Sequence, residues 1–278
     1  MPTMVTVGDN MKPREAFGGV KTVSRTVSGE SQKSQPSTTS SMPGEAEPYS
    51  VTSKCIAEML AVMIFVLVGS LQAVTTHDGV LHAALCHGAA IFVLVSCTMN
   101  ISGGHVNPAV TVGLAAAGKI PPSEAVYYVI SQLFGGFLGA LVVRVLLPYD
   151  KYVLIQGGAT LCAANTAWYQ GFFAEALTTY FLVQTVLLTA VDSSTVLAPL
   201  AIGFTILMDI LAVGGISGAS MNPGRSLGPN IAATIFMKDK LSSTFWTYHW
   251  IYYVGPVVGA LVAVGLYKLF FAKHERML

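Results

Sequence analysis

Residues Gly79–Gly118 read GVLHAALCHGAAIFVLVSCTMNISGGHVNPAVTVGLAAAG, a run of 40 positions without Asp, Glu, Lys or Arg. As a single α-helix it would be about 60 Å long at ~1.5 Å per residue, twice the ~30 Å hydrocarbon core of a bilayer. The run therefore has to break inside the membrane. Helix breakers cluster at Ile101-Ser-Gly-Gly-His-Val-Asn-Pro108. Asn107 suits an N-cap there, and Pro108 a first helical turn. The pattern predicts one full span, then a short helix over 109–117 that enters the membrane from a loop without crossing it.

The rest of the chain repeats this character. Of 278 residues, 53% are apolar and 10% charged, against roughly a quarter charged in a soluble domain. Eleven of the 29 charged residues fall in the first 54 positions, which leaves the body almost free of charge. An ordinary soluble globular protein is excluded, and a net charge of +1 excludes bulk attraction to nucleic acid. Further spans are expected at 54–74, 125–147, 172–191, 197–213 and 246–271, with a polar connection at 148–166 and a tight turn at 192–195. A second interrupted segment, Ile216-Ser-Gly-Ala-Ser-Met-Asn-Pro-Gly-Arg225, leads into a short helical run to Met237.

Residues 1–50, rich in Ser, Thr, Pro and Gly, are expected to be a disordered tail without the apolar core of a signal peptide. Their basic residues, with Lys54, place the N-terminus in the cytoplasm, and six spans return the C-terminal tail, 273–278, to the same side. On that topology ten basic residues face the cytoplasm and four the other side, in line with the positive-inside rule. The expected location is the plasma membrane, with an intracellular membrane as the alternative. Cys55, Cys86, Cys97 and Cys162 match no disulfide framework or zinc spacing.

The two interrupted segments match at Ile, Ser, Gly, Asn and Pro, with Asn107 and Asn222 separated by 115 positions. Glutamates keep step with them: Glu58 lies 49 residues before Asn107, and Glu175 lies 47 before Asn222. Gly135-Gly-Phe-Leu-Gly139 likewise resembles Gly255-Pro-Val-Val-Gly259. Each half holds three spans, an odd number, so the second half is inverted relative to the first. The two short helices then enter from opposite faces and meet at the midplane. The expected fold class is an all-α membrane protein: six transmembrane helices, two re-entrant half-helices and an inverted 3+3 repeat. The channel domain covers 51–272, with repeats at about 52–147 and 168–272.

Asn107-Pro108-Ala109 and Asn222-Pro223-Gly224, each after Ser-Gly and one per half, resemble the paired NPA motifs of the aquaporin (major intrinsic protein) family. The resemblance spans about residues 52–272. It implies a passive pore, a homotetramer and no cofactor, metal site or enzymatic activity; the residues themselves offer no catalytic constellation. Asn107 and Asn222 read as N-caps and, compatibly, as midplane donors to passing water. Arg225 reads as a pore cation or as a snorkelling residue at a helix end, and the resemblance implies that it lines the outer constriction. The resemblance also carries His87, Ile210 and Ala219 to that selectivity filter, although His87 alone fits a core histidine equally well. It puts His105 on the cytoplasmic part of the pore lining. Glu58 and Glu175 read either as a proton relay or as braces for the two loops, and the resemblance implies braces. Asp209 is expected to have an amide partner or a proton.

A filter of His87, Ile210, Ala219 and Arg225 is similar to those of aquaporin-8 and plant tonoplast intrinsic proteins, which implies ammonia or hydrogen peroxide passage beside water. Ser226 and the bulk of Tyr252-Tyr253 favour water over glycerol, whereas Ile210 and Ala219 widen the constriction. The alternatives are an aquaglyceroporin passing glycerol or urea and an inverted-repeat secondary transporter. Expected partners are water, small neutral solutes, the lipid bilayer and further copies of the chain, with no nucleic acid.

Overall fold

The structure, a computed structural model, describes residues 48–75 and 79–273. The tail expected to be disordered lies outside the described residues except for its last three positions, and the C-terminal tail except for Lys273. The helices are α1 (Val51–Leu71), α2 (Val80–Thr98), α3 (Pro108–Ala116), α4 (Pro122–Leu146), α5 (Tyr149–Leu154), α6 (Trp168–Thr185), α7 (Ala198–Ser217), α8 (Pro223–Phe236) and α9 (Ile251–Leu266). A 3₁₀ turn at Gln72–Thr75 and π-helical turns at Val186–Asp192 and Tyr267–Phe271 prolong α1, α6 and α9. With these extensions, six helices are long and apolar enough to cross a membrane. No strand occurs among the described residues.

Local chemistry sets the ends of the two short helices. Asn107 and Asn222 are in extended conformation, and their side-chain oxygens cap the helices that Pro108 and Pro223 begin. Two elements differ from the sequence pattern. The connection after the third span contains α5, which buries Tyr152. The sixth span starts at Ile251 rather than near Trp246, because Ser242–Trp250 winds as successive turns. Each turn closes with an i to i+3 backbone bond, such as Phe245 to Ser242 and His249 to Trp246. The Ser242 hydroxyl caps the Thr244 N–H at 3.2 Å, an alternative to helix that short polar side chains offer.

Packing follows the repeat. Within the first half α1 lies on α4, and within the second α6 lies on α9; α2 meets its counterpart α7 across the middle. Each short helix packs on the last span of the other half, α3 against α9 and α8 against α4. At the α2–α7 crossing, Gly88 and Gly203 face each other across a gap with no room for a side chain. A Cβ on Gly203 would stand 2.6 Å from the Gly88 carbonyl, and one on Gly88 2.8 Å from the Gly203 carbonyl. The first residues of α1 and the residues after α9 lie on one face. There Lys54 pairs with Glu124 at 2.9 Å, Lys268 donates to the Ala116 carbonyl and Lys273 to that of Asp192. This terminal face is opposite a far face formed by α5, the loop after it, and residues 237–250.

Candidate pore

The two loops leading into α3 and α8 have backbone conformations that L-residues avoid. Gly103, Gly104 and Val106 have φ of +91°, +64° and +53°, and Gly218, Ala219 and Met221 have +87°, +48° and +55°. For Val106, Ala219 and Met221 this costs about 1–3 kcal/mol each, so surrounding contacts must impose it. Buried carboxylates supply them. Glu58 accepts from Val106 N at 2.7 Å, His105 N at 2.9 Å, the Ser102 hydroxyl at 2.6 Å and the Gln132 amide at 2.8 Å. Glu175 accepts from Met221 N at 2.7 Å, Ser220 N at 2.9 Å and the Ser217 hydroxyl at 2.7 Å. Backbone N–H groups face both oxygens of each acid, so the geometry calls for carboxylates that accept. Tyr128 and Tyr252 add hydroxyl bonds to the Ser102 and Ser217 carbonyls at 2.9 and 2.6 Å. Tyr252, which the sequence suggests as bulk against glycerol, is thus a further brace.

The braced loops meet through their asparagines. Asn107 Nδ2 donates to the Met221 carbonyl and Asn222 Nδ2 to the Val106 carbonyl, both at 2.8 Å. Asn107 Oδ1 accepts from Ala109 N, and Asn222 Oδ1 from Gly224 N and Arg225 N. Each amide retains one N–H beyond the crossed bond. Both asparagines line a cavity of about 250 Å³, together with His105 and Ser220. Its other walls are mostly apolar, Phe65, Ile91, Val95 and Ile206 among them, and it runs to Lys119 at the terminal face. His105 Nδ1 lies 3.0 Å from the Thr111 hydroxyl, which fixes the ring in that wall.

Arg225 follows the second asparagine. Its Nη1 donates to the Thr160 hydroxyl and, at 3.4 Å, to the Gly158 carbonyl. Thr160 is held in turn by Asn230, whose Oδ1 accepts from Thr160 N at 3.0 Å. His87 is 5% exposed. Its Nδ1 lies 2.8 Å from the Ala83 carbonyl, which only accepts. Nδ1 therefore carries a proton, and the neutral form of the ring has its lone pair on Nε2. The ring lies against Gly69, where a Cβ would stand 2.5 Å from Nε2. Ile210 and Ala219 are buried on α7 and on the second loop.

The structure brings Glu58, Glu175, Asn107 and Asn222 into one bonded framework, with Arg225 anchored beside it. It gives Asp209 no such place. Its Oδ2 is buried without a hydrogen-bond partner among the described residues. Thr160, Asn230 and Gln132 escaped the sequence reading. They lie outside the two matched Ser-Gly-x-x-x-Asn-Pro segments and carry no motif, whereas Ser102 and Ser217 sit inside those segments and could have been read from them.

A family profile for the major intrinsic proteins matches residues 45–267, and the chain belongs to that family, whose members are channels rather than enzymes. It is 35% identical to Aquaporin-8 of Rattus norvegicus over 229 residues, 81% of this chain and 83% of the other. It is 38% identical to the probable aquaporin TIP1-2 of Oryza sativa subsp. japonica over 243 residues, 82% of this chain and 90% of the other. Among solved structures, the aquaglyceroporin from Plasmodium falciparum superposes with a TM-score of 0.71 at 26% identity, over 80% of this chain and 98% of that one.

Proposed function

We propose that the chain is a passive water channel, with one pore per subunit of a homotetramer, that also passes ammonia or hydrogen peroxide and rejects protons and ions. The crossed asparagine pair carries this reading. Each amide spends one N–H on the opposite loop, which fixes the other N–H as a donor to a water oxygen at the junction of the halves. A water that accepts from both asparagines turns its own hydrogens outward. It cannot accept a further proton from a neighbour, so the hydrogen-bonded file is interrupted there. The N-termini of α3 and α8 add positive potential at the same place. Glu58 and Glu175 act as braces rather than as a proton relay, since loop donors engage both oxygens of each.

In this reading His87, Ile210, Ala219 and Arg225 form the outer constriction, and His105 lines the pore toward the terminal face, which is the cytoplasmic one. Arg225, held by Thr160, opposes cations where charge interactions are strong. The neutral His87 ring contributes an acceptor, not the donor that the residue type alone suggests. Ile210 and Ala219 leave the remaining wall apolar, which suits small neutral solutes. Their small polar reach also supports a second reading, glycerol or urea passage, in keeping with the aquaglyceroporin named above. Stopped-flow shrinkage of vesicles carrying the purified protein decides. Fast shrinkage in sucrose without glycerol re-entry supports a water channel; rapid glycerol re-entry supports the second reading; shrinkage at the rate of empty vesicles sinks both.

A further inference from the structure

α4 carries one charged residue near each end. Glu124 in its first turn pairs with Lys54 at the terminal face, and Arg144 stands in its last turn. Residues 125–143 between them hold no Asp, Glu, Lys or Arg. The two charges are ~30 Å apart along the helix at ~1.5 Å per residue, which matches the thickness of the hydrocarbon core. Arg144 therefore lies where the far leaflet passes from acyl chains to phosphates.

Three rings hold its guanidinium. Cζ lies 5.5 Å from the ring centres of Tyr149 and Tyr152 on α5, and 5.8 Å from that of Phe236 at the end of α8. Rings shield a cation but do not neutralise it. The one acceptor it meets among the described residues is the Leu147 carbonyl, 3.4 Å from Nη1. Nε is closed off without a partner, whereas Nη2, equally without one, stays open. No carboxylate answers the charge, since Lys54 with Glu124 is the only ion pair among the described residues. Tyr152 cannot ionise to do so, because burial pushes its pKa up to about 12. An arginine that merely snorkels would have its whole fork in water. Here the rings seal Nε and leave only the Nη edge for an anion.

We propose that Arg144 holds a phospholipid of the far leaflet by its phosphodiester, whose oxygens accept from the Nη edge. One acyl chain then runs toward the membrane centre past Leu141 and Phe137. These residues stand three and seven positions before Arg144 on the same face of α4, and both are half-buried. The planar fork suits two phosphate oxygens better than a lysine would. The rings around the site are already turned to one cation, so they have no place for a headgroup ammonium, and the phosphate is what is recognised. The rings come from α5 and α8 while the cation comes from α4, so a bound lipid adds to the hold among three elements. None of this rests on the pore reading above.

The full-length protein, stripped of lipid in detergent, is mixed with dioleoyl phosphatidylglycerol, whose headgroup has no cation. Dioleoylglycerol, which has the same chains without the phosphate, and inorganic phosphate serve as controls. Native mass spectrometry counts both the lipids kept and the subunits. The wild type is expected to keep the phospholipid, not dioleoylglycerol, and inorganic phosphate should not displace it. Arg144→Gln should bind about tenfold more weakly or worse, the equivalent of one charge-assisted bond. Arg144→Lys keeps the charge and loses the fork; it should also bind more weakly, and it serves if Arg144→Gln does not fold. The phospholipid should raise the melting midpoint of the wild type more than that of either variant. Equal retention of dioleoylglycerol by the wild type, or unchanged affinity in the folded variants, overturns the site. Displacement by inorganic phosphate overturns the lipid in favour of a free anion. An Arg144→Gln protein with fewer subunits and unaltered lipid binding overturns it in favour of a contact between copies. Should neither variant fold, the wild type's choice among the three probes still decides.

Discussion

Glu175→Gln isolates what the braced loops do. The carboxylate takes two donors on Oε1, Ser217 and Ser220, and one on Oε2, Met221 N. A glutamine keeps one oxygen and turns its NH₂ toward a backbone N–H. It loses a charge-assisted bond of about 1.5–3 kcal/mol outright, and the two that remain lose their charge. Met221, at φ +55°, is then held by less than its backbone strain of about 1–3 kcal/mol, and the peptide is expected to rotate. Relaxation of φ at Met221 also reorients the following peptide, whose carbonyl accepts from Asn107. Both asparagines should then reorient together, because each is fixed by the other's loop. Thermal unfolding in detergent reads the stability loss, and stopped-flow water flux in vesicles reads the pore. The expected result is a lower midpoint and a fall in flux per folded protein of about tenfold or more. A Glu175→Gln variant with wild-type flux and wild-type proton exclusion would refute the view that the acid holds the loop in its strained form.

Arg225→Val should keep most of the water flux yet admit a proton or cation current, measured under voltage clamp; an ion-tight variant would move the filter away from Arg225. Gly203→Ala forces a methyl to within 2.6 Å of the Gly88 carbonyl and 2.9 Å of Phe92 Cβ, so a loss of about 1–3 kcal/mol is expected from calorimetric unfolding. His249 has a folded pKa of about 4 against an ordinary 6.5. In that window the unfolded chain takes up a proton that the folded one refuses. Stability should therefore fall as pH drops from about 6.5 toward 4 and should not vary above it on this account, a slope that His249→Phe makes shallower in a series of melts.

The inverted architecture was legible because charge is scarce and the run from Gly79 to Gly118 is too long for one crossing. Two copies of Ser-Gly-x-x-x-Asn-Pro, each trailing a glutamate, then marked the loops and their braces. The crossed donation of Asn107 and Asn222 was not legible, since a side chain that caps its own helix looks the same in sequence whether or not it reaches a carbonyl 114 or 116 positions away. The tautomer of His87 follows from its distance to the Ala83 carbonyl, a helical contact that no spacing rule specifies. Thr160 and Asn230 stayed hidden for another reason. They connect the polar loop after α5 to α8, and a long-range pair that is not matched in the other half leaves no periodic trace. The sixth span began late because Ser242 and Thr244 compete for backbone groups that apolar periodicity assigns to a helix.

The exchange of amides between the loops also bears on synthesis at the ribosome. When the first three spans have been made, Val106 has its strained conformation to adopt and Glu58 to brace it, but the donor for its carbonyl is Asn222. That residue emerges 115 positions after Asn107. At ~5–20 residues per second, the wait is on the order of 6–23 s. Throughout it, the first loop carries an unanswered carbonyl at membrane depth and an asparagine without its acceptor. Water, lipid headgroups or the insertion machinery must satisfy these groups until the later half arrives. Nascent chains stalled before Asn222 should accordingly leave residues 101–107 open to aqueous thiol labelling at an introduced cysteine, and release past α8 should close them.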